Sequence, residues 1–127
     1  MTSARHGLIL FAHGARDPQW AEPFEQIRSR IIAAHPEAKV SLAFLELMQP
    51  DLEQAVGELA AQGIARITLV PLFLAQGGHL KKDLPELLRA IAATYPRVSF
   101  RVTPAIGEVA HILGAIADWA EGEFLKP

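Results

Sequence analysis

The sequence predicts an α/β fold built on a four-stranded parallel sheet. Three observations carry this expectation. Short apolar runs alternate with amphipathic segments in the order βαβαβαβα. Helix-start and helix-stop residues punctuate every junction. The first and third strand segments are apolar throughout, whereas the second and fourth alternate apolar with polar.

Each element follows in turn. Gly7 to His13 reads GLILFAH, a run that suits a strand buried on both faces. Asp17-Pro18 is an N-cap with proline at the first helical position. Trp20, Phe24, Ile27 and Ile31 then share one helical face, and His35-Pro36 stops the helix. Val40, Leu42 and Phe44 alternate with Ser41 and Ala43 in a second strand. Pro50-Asp51 opens a helix with Leu52, Val56 and Leu59 inward and Gly63 as its stop. Ile64 to Leu74 is a third strand, with pairing weakened at Pro71, which has no N–H to donate. Leu84, Leu87, Leu88 and Ile91 mark a third helix, ended by Tyr95-Pro96. Val98, Phe100 and Val102 form a fourth strand, and Ile112, Leu113, Ile116 and Trp119 a last helix. The apolar strands belong inside the sheet and the alternating ones nearer its edges. Right-handed crossovers then give the order 2-1-3-4, a single flavodoxin-like domain over residues 1–127 with helices on both faces.

Composition narrows the chemistry. The chain has 127 residues, half of them hydrophobic and 20% charged, which is a globular balance. It has no cysteine, which excludes a disulfide scaffold, thiolate-held metal and thiol catalysis. A net charge of −2 argues against a nucleic-acid partner. No apolar run approaches the roughly 18–20 residues of a membrane span. Met1 to Gly7 is polar and lacks a secretory h-region, so the expected compartment is the cytoplasm.

In an open parallel sheet, ligands bind beyond the carboxyl ends of the strands where strand order reverses. That point lies between the first and third strands. The first runs into His13-Gly14-Ala15-Arg16-Asp17-Pro18, the third into Gln76-Gly77-Gly78-His79-Leu80-Lys81-Lys82, and the second ends at Phe44-Leu45-Glu46. With strands about 4.8 Å apart, Glu46, His13 and His79 form a row across roughly 10 Å. Two imidazoles and a carboxylate suit a divalent first-row metal with open coordination positions. The same groups also exchange protons near neutral pH. Metal binding and general-base work both stay open, as do structural hydrogen-bonding roles. Gly77 and Gly78 are either a turn or a point of close backbone approach to a ligand. Arg16, Lys81 and Lys82 are either solvated charge or a cationic rim for carboxylates or phosphates. Arg5-His6-Gly7 precedes a strand rather than following one, and His35 and His111 sit on helices; none of these is assigned a catalytic role.

HGARDP after the first strand, Ala43 to Pro50 and the PLFLAQGGHLKKDLP stretch from Pro71 to Pro85 resemble the class II chelatases, most closely the small CbiX-type sirohydrochlorin cobaltochelatases. The resemblance runs from about Gly7 to Trp119. It implies insertion of a divalent metal, Co²⁺ or else Fe²⁺ or Ni²⁺, into a sirohydrochlorin-type tetrapyrrole for cobalamin or siroheme. No cofactor beyond the substrate metal is implied. His13 and His79 take the places of the family's active-site histidines, binding metal and accepting pyrrole protons, and Glu46 that of its acidic partner. Arg16, Lys81 and Lys82 then meet substrate carboxylates. Leu45, Leu72, Phe73, Leu80, Gly77 and Gly78 then line the macrocycle. The short form implies a homodimer with the cleft between subunits. Ala15 stands where many relatives carry serine, and the histidine-rich loop of some short members is missing. Two competing readings are a non-catalytic metal or tetrapyrrole carrier and a metal-independent histidine acid–base enzyme.

Overall fold

The computed structural model describes residues 5–127. Met1 to Ala4, part of the polar amino-terminal stretch, lie outside the described residues. Strands β1 (His6–Ala12), β2 (Lys39–Phe44), β3 (Arg66–Pro71) and β4 (Ser99–Val102) form one parallel sheet in the order 2-1-3-4, as the apolar patterning predicts. Helices α1 (Glu22–Ala34), α2 (Leu52–Ala61), α3 (Gly78–Thr94) and α4 (Ala110–Phe124) follow their strands.

Strand alternation separates two faces. Ile9, Phe11, Ala43, Ile67 and Leu69 point to one side and pack with Leu52, Val56 and Leu59 of α2 and Leu84 and Ile91 of α3. These side chains are essentially removed from water, each of the larger ones worth about 1.5–3 kcal/mol of burial. On the opposite face α1 lies along β2. Phe24 meets Phe44 edge-on at 6.3 Å, and Arg28 Nε donates to the Val40 carbonyl at 2.7 Å.

The boundaries differ from expectation at four places. β1 ends at Ala12, so His13 lies just beyond the strand. Ile64 is not in β3. Its N–H bonds Leu59 O and the Gly63 N–H bonds Ala60 O, which closes α2 in a Schellman turn with Gly63 at φ 84°. β3 ends at Pro71 rather than Leu74. The Leu72 N–H reaches Phe11 O, so by alternation the Pro71 nitrogen faces β4, where the missing donor ends the ladder. α3 begins earlier than Leu84 suggests. Leu80 extends the apolar stripe backward, and the helix starts at Gly78 and continues through Pro85. A short 3₁₀ turn, Pro18–Ala21, capped by Asp17, leads into α1.

α2 begins with a capping box. The Asp51 carboxylate accepts from Gln54 N, and the Gln54 side chain accepts from Asp51 N, both at 2.9 Å. Asp51→Ala is expected to cost about 1 kcal/mol, lowering Tm by about 3–5 °C. Thermal denaturation checks this.

Candidate active site

The carboxyl edge of β1 carries the chemistry. His13 directly follows β1, and Glu46 lies two residues beyond β2. The register pairs Ala12 with Phe44, and Leu45 N bonds Ala12 O at 2.8 Å, so the two loops leave the sheet side by side. His13 Nδ1 and Glu46 Oε1 stand 3.0 Å apart, with both side chains about half exposed. A carboxylate only accepts, so Nδ1 carries the proton donated to Glu46. In the neutral imidazole Nε2 is then the free lone pair. Phe73 supports the ring from the β3 side, with centroids 4.7 Å apart and planes at 62°.

Two further contacts hold this geometry. A Cβ built on Gly14 would overlap the backbone carbonyl of Glu46, so only glycine lets the two loops approach this closely. Trp20 Nε1 donates to His13 O at 2.7 Å and ties the loop to the 3₁₀ turn. Neither contact follows from motif spacing. A glycine directly after a strand-end histidine is the signal for the first; for the second, sequence offers only an amphipathic tryptophan, which reads as part of a helix stripe.

The remaining candidates fall as follows. His79 is exposed on the first turn of α3, because the chain runs on past Pro71 before that helix begins. Among the described residues, no three His, Asp or Glu side chains are close enough to hold one ion together. Of the expected row, His13 and Glu46 are in direct contact, and the three side chains do not together form one ligand group. Phe73 is 2% exposed and lies in the core, and Leu45 and Leu80 pack against that core. Phe73 therefore offers no open apolar surface to a ligand and instead backs His13, whereas Leu45 and Leu80 stay partly exposed. Leu72 is half-buried.

Gly77 caps α3 in extended conformation, and a Cβ on Gly77 or Gly78 would meet nothing within 4 Å. Neither a strained turn nor packing within this chain calls for glycine there, and open space lies beside both. Arg16, Lys81 and Lys82 are exposed, and none makes an ion pair among the described residues. Lys81 also borders a depression of about 390 Å³ beside β4, with Gln76, Leu88 and Thr103. A further depression, about 520 Å³ around Arg5, Tyr95 and Arg97, lies at the amino-terminal edge, away from His13. His6, at that edge, bonds Thr68 Oγ1 through Nε2 at 2.8 Å. The surface around His13 is an open shelf.

Known proteins resemble this chain in sequence and in fold. The CbiX family model matches residues 7–121. A sirohydrochlorin cobaltochelatase of Methanosarcina acetivorans is 37% identical over 82 residues, covering 65% of this chain and 63% of that protein. One of Methanothermobacter thermautotrophicus is 38% identical over 84 residues, covering 65% and 57%. The chain thus spans less than two thirds of the length of these relatives. Among solved structures, a CbiX protein of Marinobacter aquaeolei VT8 aligns with TM-score 0.82 at 35% identity, covering 94% of this chain and 97% of that one. The sirohydrochlorin chelatase SirB of Bacillus subtilis subspecies spizizenii, in complex with cobalt, aligns with TM-score 0.73 at 27% identity, covering 93% of this chain and 50% of that one. A match over nearly all of the chain, on a sheet of the expected order, shows that this chain belongs to the CbiX family.

Proposed function

We propose that this protein inserts a divalent metal, Co²⁺ foremost, into sirohydrochlorin, with residues 1–127 acting as one chelatase domain. The observation that carries the reading is the free Nε2 of His13, oriented by Glu46 at the switch point of the sheet. The relatives named for this activity support it.

Insertion breaks two pyrrole N–H bonds and forms four metal–nitrogen bonds, releasing two protons. His13 Nε2 first holds the incoming metal and then, once it has passed to the macrocycle, takes a pyrrole proton. The imidazolium so formed is stabilised by the Glu46 carboxylate already bonded to Nδ1. His79 accepts the second proton. Arg16, Lys81 and Lys82 meet the carboxylates of the macrocycle, and Gly77 and Gly78 leave room for it. The cytoplasm is the proposed compartment; among the described residues no helix is long and apolar enough to cross a membrane.

The test is an absorbance time course with sirohydrochlorin in excess over protein, run with Co²⁺, Fe²⁺ and Ni²⁺ beside protein-free controls. Many turnovers above the control, fastest with Co²⁺, are expected. Binding of the macrocycle without acceleration would establish a carrier instead.

A homodimer belongs to the same proposal. α4 has no buried residue, with Ile116 47%, Trp119 69% and Phe124 83% exposed. An apolar helix with nothing to lie on calls for a second surface. The 3₁₀ turn Ile106–Glu108 pins its root to the Phe73–Leu74 loop, through Gly107 N to Phe73 O at 3.1 Å, so a partner on α4 stands beside the open shelf. Sedimentation is expected to give twice the 13.8 kDa chain mass, and Trp119→Asp to shift it toward monomer. A 13.8 kDa wild-type species at micromolar concentration contradicts the dimer.

A further inference from the structure

Of the side chains expected to carry apolar contact with a ligand, Phe73 lies in the core and Leu45, Leu72 and Leu80 are partly buried, but two leucines near the ends of the same strands stand in the open. Leu47 is 62% exposed and Leu74 60% exposed. Leu47 follows Glu46, whose carboxylate accepts from His13, and Leu74 follows Phe73, whose ring lies against His13. Because β2 and β3 flank β1, the two leucines lie on the loops that leave the strands on either side of the one that carries His13, strands about 10 Å apart.

Both are held in place by backbone rather than by their own packing. Leu47 has φ 69°, in the left-handed region that favours glycine, and is the only non-glycine residue with positive φ among those described. Its loop is closed by Phe44 N to Pro50 O at 2.9 Å and by the approach of Gly14 to the Glu46 carbonyl. Leu74 is fixed from the other side, since a Cβ on Gly107 would overlap the Leu74 carbonyl. A bulky apolar side chain kept in water at a strained backbone position gains nothing from folding. Strain that persists beside reactive groups points to contact with a ligand.

We propose that Leu47 and Leu74 are two apolar rests for the flat face of the tetrapyrrole, setting its ring over His13 Nε2. The proposal rests on the chelatase reading and concerns the macrocycle, not the metal. The arrangement separates two tasks: the leucines take the ring, whereas the cationic rim takes its carboxylates.

The test uses Leu47→Gly and Leu74→Ala in the full chain. Glycine adopts φ 69° without strain, so Leu47→Gly removes the apolar group and leaves the fold at least as stable. Affinity for metal-free sirohydrochlorin, measured by titration of tryptophan fluorescence, is expected to fall about tenfold in each variant, and Leu47→Met to recover most of it. Co²⁺ affinity without macrocycle is expected to stay the same. Unchanged sirohydrochlorin affinity in folded variants, with the wild type binding it, overturns the proposal alone. Retained affinity with an altered sedimentation coefficient also overturns it and makes the leucines subunit contacts. A wild type that binds no sirohydrochlorin overturns both this and the chelatase reading.

Discussion

Replacing His13 with alanine is expected to lower the proposed metal insertion by about two to four orders of magnitude and to leave the protein folded. The magnitude follows from what is removed. Nε2 is the free nitrogen of the imidazole bonded to Glu46, so no neighbouring group supplies the same lone pair at the same place. The fold is spared because the side chain is half exposed. Steady-state insertion, compared with circular dichroism of the same preparation, checks both parts. Glu46→Gln is milder, about tenfold. The amide still reaches Nδ1 but no longer stabilises the imidazolium, and its NH₂ can donate to Nδ1, which would place the imidazole proton on Nε2. Rates near wild type in a folded His13→Ala protein would remove His13 from the chemistry.

The second large effect is expected from a residue without functional groups. Gly14→Ala places a methyl group onto the Glu46 carbonyl oxygen and against Met48. The obstacle is backbone, so no rotamer change relieves it, and the two loops must part. Stability is expected to fall by about 1–3 kcal/mol. Insertion is expected to fall nearly as far as in His13→Ala, because parting the loops breaks the 3.0 Å contact between His13 and Glu46. Denaturant unfolding and insertion assays on one sample separate the two effects. A stability loss with full activity would show that Gly14 supports the fold and not the His13–Glu46 pair.

Strand order is legible in the sequence because burial on both faces of β1 and β3 leaves no room for polar alternation, whereas β2 and β4 lie at the sheet edges. The His13–Glu46 pair is legible for the same reason: in a parallel sheet, the residues after two neighbouring strands emerge together. His79 is harder to place, since the chain between Pro71 and Gly78 has no period to measure by, and it rides on a helix rather than a strand end. Phe73 turns inward where an open surface is expected, because loop phenylalanines look alike in sequence whether they turn inward or outward. What distinguishes Leu47 is a backbone angle, and nothing in its neighbours Glu46 and Met48 signals left-handed geometry. α4 is readable as an apolar helix, yet its lack of a seat on its own sheet is visible only in three dimensions.

The most direct test is nitrogen-15 NMR of the histidine side chains. The expected spectrum, recorded at a pH where the imidazoles are neutral, shows the His13 proton on Nδ1 and Nε2 bare, and Co²⁺ broadens the Nε2 signal first. In Glu46→Ala the preference between tautomers weakens. A His13 that carries its proton on Nε2, or whose signal Co²⁺ leaves untouched, contradicts the claim that this nitrogen meets the metal.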